Sequence, residues 1–128
     1  MKNIKDRYKP FNFSSGSSHV IELIISQAGV TRIEAKLPTY IKTLSGIYIS
    51  CKSQRPEKVT GFINLFFNEG AQKSLKLSVL NTNVLRHSSH PLPLNQELKN
   101  NSIMQGYYLD TLATGFPYTI KIYLHYKK

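Results

Sequence analysis

The most regular alternation of apolar and polar side chains in the sequence lies at residues 117–127. The apolar positions of this segment are Ile120, Ile122, Leu124 and Tyr126. The positions between them carry Thr119, Lys121, Tyr123, His125 and Lys127. Successive side chains of an extended chain point to opposite sides. The pattern therefore predicts a β-strand with one face in a core and the other in water.

Shorter segments of the same kind recur from residue 19 onward, separated by turn residues. Their inward positions are predicted to be Ile21, Leu23 and Ile25, then Ile33, Ala35 and Leu37, then Ile47, Ile49 and Cys51, then Ile63, Leu65 and Phe67, and then Leu75, Leu77 and Val79. A further strand is predicted at 103–110. About eight short strands without a helical period indicate an all-β fold, which we interpret as a single antiparallel β-sandwich. The long connection 81–102 before the last two strands suits a Greek key, so we expect a jelly-roll-like topology for residues 18–128.

The pattern also gives local expectations. Gly29 lies in a turn between the first two strands, so we expect these strands to form a hairpin. Val20 and Ile24 lie on the outer face of the first strand, which suggests that this face is partly covered as well. The segment 54–57 is predicted to be a polar turn.

Residues 1–17 mix charge with Gly and Ser, a composition that favours a flexible basic arm. The arm contains four clustered basic residues and two aromatic residues at alternate positions, which we predict to bind a partner: Lys2, Lys5, Arg7, Lys9, Phe11 and Phe13. Docking of the two rings on the chain's own sandwich remains an alternative.

The composition limits the classes of function that the chain can have. The net charge of +10 favours a solvated positive surface or an acidic partner, and it makes dedicated nucleic-acid binding a weaker alternative because the basic residues beyond the arm are spread out. No apolar run follows the basic N-terminus as in a signal peptide, and the run 20–25 is too short to cross a membrane. Cys51 is the only cysteine, and its strand position predicts a buried, unreactive thiol.

No recognised catalytic motif is present. His87 and His90 could supply two metal ligands, but the segment offers no third ligand, and Arg86 opposes a cation. The carboxylates mostly alternate with lysine on strands or lie in turns, which is typical of solvated groups. We therefore predict a non-enzymatic protein with no catalytic residue, no metal and no cofactor.

Aromatic residues on the outer faces of strands are candidate binding residues. Phe62 and Phe66 flank Asn64 on the outward side of the fourth strand, where an isolated sandwich carries polar residues. We predict that another protein chain covers both rings; the alternative is that a second core layer of the protein itself covers them. Tyr48, Tyr107 and Tyr108 are open to three interpretations: structural residues, a protein interface, or a platform for sugars.

The last quarter of the chain, from Ile103-Met104-Gln105-Gly106-Tyr107-Tyr108 through 115–124, resembles small β-sandwich structural proteins of crAss-like tailed bacteriophages. The basic arm is similar to those with which such virion proteins attach to neighbours. The resemblance implies a virion protein made in the host cytoplasm, a capsid decoration or head-fibre attachment protein. Its partners would be the major capsid protein or other head proteins, and it would form a homo-oligomer. The alternatives are a glycan-binding module and a small nucleic-acid-binding barrel.

Overall fold

The computed structural model describes residues 17–67, 74–84, 91–98, 102–111 and 115–127. These residues form eight β-strands: β1 (Ser17–Ile25), β2 (Gly29–Lys36), β3 (Thr43–Lys52), β4 (Val59–Phe67), β5 (Leu75–Leu80), β6 (Leu92–Glu97), β7 (Ile103–Asp110) and β8 (Tyr118–Lys127). Strands β1, β8, β3 and β6, in that order, make sheet A, and β2, β7, β4 and β5 make sheet B. All pairs within the sheets are antiparallel, which confirms the predicted all-β sandwich.

The strand pairing is that of a jelly roll. The first strand pairs with the last, β2 with β7, β3 with β6 and β4 with β5. Each strand of the first half is thus paired with a strand of the second half in reverse order, and the four pairs are divided between the two sheets. Most contacts consequently join residues that are far apart in the sequence.

The core lies between the two sheets and is built by the alternating positions of each strand. Ile120, Ile122 and Leu124 of β8 are fully buried, as the alternation predicts. Ile63 and Leu65 of β4 face them from sheet B as part of the same apolar cluster. Cys51 is also buried, in agreement with its predicted position. Within the described residues, no helix is long and apolar enough to cross a membrane.

Two expectations about the first strands were wrong. β1 and β2 do not form a hairpin, because β1 pairs with β8 in sheet A while β2 pairs with β7 in sheet B. Both strands turn their apolar faces toward one core, and alternation alone does not say whether such strands lie side by side or face to face. Val20 and Ile24 are 44% and 69% exposed, because they lie on the outer face of an edge strand.

His125 departs from the alternation of β8. It was predicted on the wet face but is buried, at 4% exposure. Its partner in β3 is Gly46, which follows a register shift after Leu44 and leaves room for the imidazole against the sheet. Ser45 Oγ donates a hydrogen bond to the His125 carbonyl oxygen, 3.3 Å away.

Two further predictions concern the N-terminal arm and the long connection before the last two strands. β1 begins at Ser17, so the last residue of the predicted arm is a strand residue, and residues 1–16 lie outside the described part of the chain. The described residues of the predicted connection 81–102 include strand β6, which extends sheet A beside β3.

Candidate functional site

Neighbouring strands of sheet B place apolar side chains next to one another on the outer face. Val30 of β2 lies opposite Leu109 of β7, and Leu109 lies opposite Phe62 of β4. Tyr107 precedes Leu109 on the same face of β7. These four side chains are between 38% and 63% exposed, and we call them the sheet B patch. Contiguous exposed apolar groups of this kind mark interaction surfaces more often than isolated ones do.

Asn64 lies at the centre of this face, opposite Tyr107. Its Nδ2 donates a hydrogen bond to the Tyr107 hydroxyl, 3.3 Å away. Its Oδ1 is buried and has no hydrogen-bond donor among the described residues. An open depression of about 440 Å³ lies beside Asn64 and Phe62, and Lys76 and Ser78 of β5 form its far wall.

Positive charges border the sheet B patch on two sides. Arg32 of β2 pairs with Tyr107 from one side, and Lys76 of β5 pairs with Asn64 from the other. Glu34 of β2 is an acidic neighbour, and its Oε2 lies 3.1 Å from Arg32 Nη2 in an exposed ion pair. The border of the patch is therefore mainly positive.

Two of the eight predicted partner-binding residues lie in the described part of the chain, and six do not. Phe62 is 48% exposed on the outer face, and Phe66 is half-buried on the same face, opposite Gln105. The other six, Lys2, Lys5, Arg7, Lys9, Phe11 and Phe13, lie outside the described residues. Sequence reasoning did not single out Val30 and Leu109. Only the β2–β7–β4 strand order brings these two residues next to Phe62. Each is an apolar residue on an otherwise polar strand face, and the sequence could have revealed that much.

The tyrosines separate into different environments. Tyr108 is fully buried, so it is not part of an exposed platform. Tyr107 belongs to the sheet B patch, whereas Tyr48 lies on the outer face of sheet A beside Tyr123. The rings of Tyr48 and Tyr123 are 5.8 Å apart between centroids and are tilted by 45°.

A buried polar cluster joins the two sheets at one end of the sandwich. Arg55, in the β3–β4 connection, binds Asp110 at the end of β7 through two hydrogen bonds, Nη2–Oδ2 of 2.8 Å and Nη1–Oδ1 of 3.2 Å. The Tyr118 hydroxyl donates to Asp110 Oδ2 at 2.6 Å. The Tyr108 hydroxyl lies 2.8 Å from that of Tyr118 and donates to Thr60 at 2.9 Å.

This cluster corrects two expectations. The segment 54–57 is an irregular, bent connection, but Arg55 is 3% exposed rather than solvated, and Asp110 is a buried carboxylate at 5%. The guanidinium lies 4.6 Å from the ring centroid of Tyr118 and 5.0 Å from that of Phe116. The backbone at Gly115 runs so close that a Cβ there would come 2.9 Å from Arg55 Cγ.

Burial also affects the ionisation of the hydroxyl and thiol groups in and beside the cluster. Burial raises the pKa of the Tyr118 hydroxyl, and its hydrogen bond to Asp110 adds to the effect. Burial also raises the pKa of Tyr108 and that of the Cys51 thiol. Groups that are engaged with one another and shielded from water form a structural clasp at this end of the sandwich.

The described residues contain no group of three His, Cys, Asp or Glu side chains that could hold a metal ion. The two histidines considered as ligands, His87 and His90, lie outside the described residues.

Comparisons with known proteins give a fold likeness only. No protein-family model matches the chain, and no curated protein matches its sequence. The crystal structure of the Yersinia pseudotuberculosis-derived mitogen (YPM) is similar, with a TM-score of 0.51 and 9% sequence identity over 88% of this chain and 87% of the mitogen. This likeness supports the eight-stranded sandwich and carries nothing about activity.

Proposed function

We propose that this chain is a non-enzymatic virion structural protein that attaches to another protein through the sheet B patch. One observation carries the binding surface: Val30, Leu109 and Phe62 form an exposed apolar row across three adjacent strands. The virion setting, as a capsid decoration or head-fibre attachment protein, comes from the sequence resemblance. The jelly roll supports both capsid and lectin domains, so the fold by itself does not choose between them.

The energetics of the patch support a protein partner. Removing apolar surface from water favours association by about 25 cal/mol per Å², before the entropic cost of binding is subtracted. Aromatic side chains such as Phe62 and Tyr107 are typical of interface centres, with polar groups around them. The buried Oδ1 of Asn64 lacks a donor among the described residues, and a buried unsatisfied acceptor costs about 1–3 kcal/mol. A partner that reorients this amide and supplies a donor would remove that cost.

The charges around the patch indicate what kind of protein fits. In a two-fold pairing of two copies through this patch, the positive charge that Arg32 and Lys76 carry in excess of Glu34 on one copy would meet the same excess on the other. Like charges brought together at an interface are unfavourable. We therefore propose a different protein, with an apolar centre and an acidic rim, as the occupant, and we assign any homo-oligomer contact to another surface.

The nucleic-acid alternative has less support. Arg32 and Lys76 lie on sheet B, whereas Lys52 and Lys121 lie on the outer face of sheet A. These described basic side chains therefore sit on opposite sides of the sandwich and do not line one groove, which a nucleic-acid strand would need.

Co-sedimentation with phage heads assembled without the chain tests this proposal. The wild-type chain should sediment with the heads, and the double variant Phe62→Ser/Leu109→Ser should remain at the top of the gradient with its fold intact by circular dichroism. The matched control is Val20→Ser/Ile24→Ser, which removes two exposed apolar residues from sheet A. Failure of the wild type to bind would refute the virion role. Equal loss in both double variants, or none in either, would refute the sheet B patch as the attachment surface.

A further inference from the structure

The outer face of sheet A carries a compact group of polar and aromatic side chains on its two central strands. Tyr123, Lys121 and Thr119 of β8 alternate outward, and β3 places Tyr48, Ser50 and Lys52 opposite them in register. Glu22 of the edge strand β1 lies on the far side of Lys121. The result is three rows across the strands, each two residues from the next: an aromatic row (Tyr48 and Tyr123), a row of Glu22, Lys121 and Ser50, and a row of Thr119 and Lys52.

These side chains surround an open depression of about 360 Å³, whose lining includes Ser50, Lys52, Thr119, Lys121 and Tyr123. The volume is within the range of small-ligand sites. Tyr48 supports Tyr123 from the neighbouring strand, with ring centroids 5.8 Å apart. Two lysines, two hydroxyl-bearing residues and an aromatic residue therefore line one concave surface.

We propose that this depression binds an oligosaccharide that carries carboxylate or sulfate groups. Lys52 and Lys121 would form charge-assisted hydrogen bonds to the acidic substituents. The hydroxyls of Ser50 and Thr119 both donate and accept, which suits the hydroxyl groups of a sugar. The Tyr123 ring offers an apolar wall for the C–H face of a pyranose. The site lies on the sheet opposite the sheet B patch, so it is a second surface, independent of the proposed attachment.

The acidic neighbour favours a sugar over a nucleic acid. Glu22 Oε1 lies 3.9 Å from Lys121 Nζ. Its carboxylate can accept hydrogen bonds from sugar hydroxyls, whereas it would repel the closely spaced phosphates of a nucleic-acid strand. Mixed donors and acceptors beside two positive charges fit a ligand with many hydroxyls and few charges.

Isothermal titration with defined probes tests the proposal. The probes are a tetragalacturonate, a heparin tetrasaccharide, neutral maltotetraose and the oligonucleotide dT8. We expect one or both acidic saccharides to bind, with no measurable binding of maltotetraose and weaker binding of dT8. Lys52→Gln and Lys121→Gln should each weaken saccharide binding about tenfold, the effect of losing one charge-assisted hydrogen bond. Tyr123→Ala should weaken it by a similar factor.

A matched control comes from the other sheet. Lys36→Gln removes an exposed lysine of sheet B, and it should not change saccharide affinity by more than about twofold. The proposal is overturned if neither acidic saccharide binds at millimolar concentration. It is equally overturned if Lys36→Gln weakens binding as much as Lys52→Gln, or if dT8 binds as tightly as the saccharides, since either result shows general polyanion attraction.

Discussion

Arg55 and Asp110 form a bidentate ion pair in the interior of the sandwich, with side chains 1% and 0% exposed. Arg55 comes from the connection between β3 of sheet A and β4 of sheet B, and Asp110 from the end of β7 in sheet B. Tyr118, the first residue of β8, donates to the same carboxylate from sheet A. The pair therefore ties together the end of the sandwich where the chain passes between its sheets.

Asp110→Asn should strongly destabilise the fold. The substitution leaves the guanidinium of Arg55 buried without its counter-charge, and breaking one side of a buried ion pair costs about 3–5 kcal/mol. The matched control is Glu34→Gln, which breaks the exposed pair with Arg32 and should cost less than about 1 kcal/mol. Urea titration of both variants measures the difference. Similar small losses in the two variants would show that the Arg55–Asp110 pair is not a clasp.

Ile122→Ala should cost about 2–5 kcal/mol, because it removes a fully buried side chain from the centre of β8. Ile24→Ala is the same substitution at a residue that is 69% exposed on β1, and it should cost less than about 1 kcal/mol. The free energy of unfolding from denaturant titration separates the two. A loss below about 0.5 kcal/mol for Ile122→Ala would place β8 at the surface, contrary to the fold.

The sequence predicts the burial pattern of single strands better than their partners. The alternation in β8 places Ile120, Ile122 and Leu124 correctly, because burial on one face of a strand is a local, two-residue signal. Strand order is not local in a jelly roll, where β1 pairs with β8. For that reason the hairpin expected between β1 and β2 was wrong.

The difference between local and long-range signals also explains which site residues could be predicted from the sequence. Phe62 stands out in the sequence as an aromatic residue at a polar position of its strand. Leu109 joins it only because β7 lies between β2 and β4. Arg55 gives no sequence signal of burial, because its partners, Asp110 and Tyr118, lie more than fifty residues away along the chain.

The stability of the fold should decrease below about pH 6.5 through His125. Burial lowers the pKa of this imidazole from its ordinary value of 6.5, so in that range the unfolded chain binds more protons than the folded one. The contribution is complete above pH 6.5 and is lost as the pH falls from there toward the lowered folded-state pKa. The thermal midpoint of the wild type should therefore drop more between pH 8 and pH 5 than that of His125→Gln. Equal drops would show that His125 is accessible to protons in the folded state.

Cys51 should react with a thiol reagent only after unfolding. The thiol is fully buried, and burial raises its pKa, which lowers the fraction of reactive thiolate. With Ellman's reagent at pH 8, native protein should be modified at least about a hundredfold more slowly than protein in urea, because only rare opening exposes the sulfur. Rapid reaction of the native protein would contradict the packing of β3 against β4.

Hydroxyl-radical footprinting tests attachment through the sheet B patch most directly. The free chain and the chain bound to assembled heads are exposed to the same radical dose, and oxidation of each aromatic ring is measured by mass spectrometry. We predict that oxidation of Phe62 and Tyr107 falls about fivefold or more on binding, as expected when exposed rings enter an interface core. Tyr123 on sheet A should remain as reactive as before. Unchanged oxidation of Phe62 and Tyr107 in chains that are bound to heads would contradict the claim.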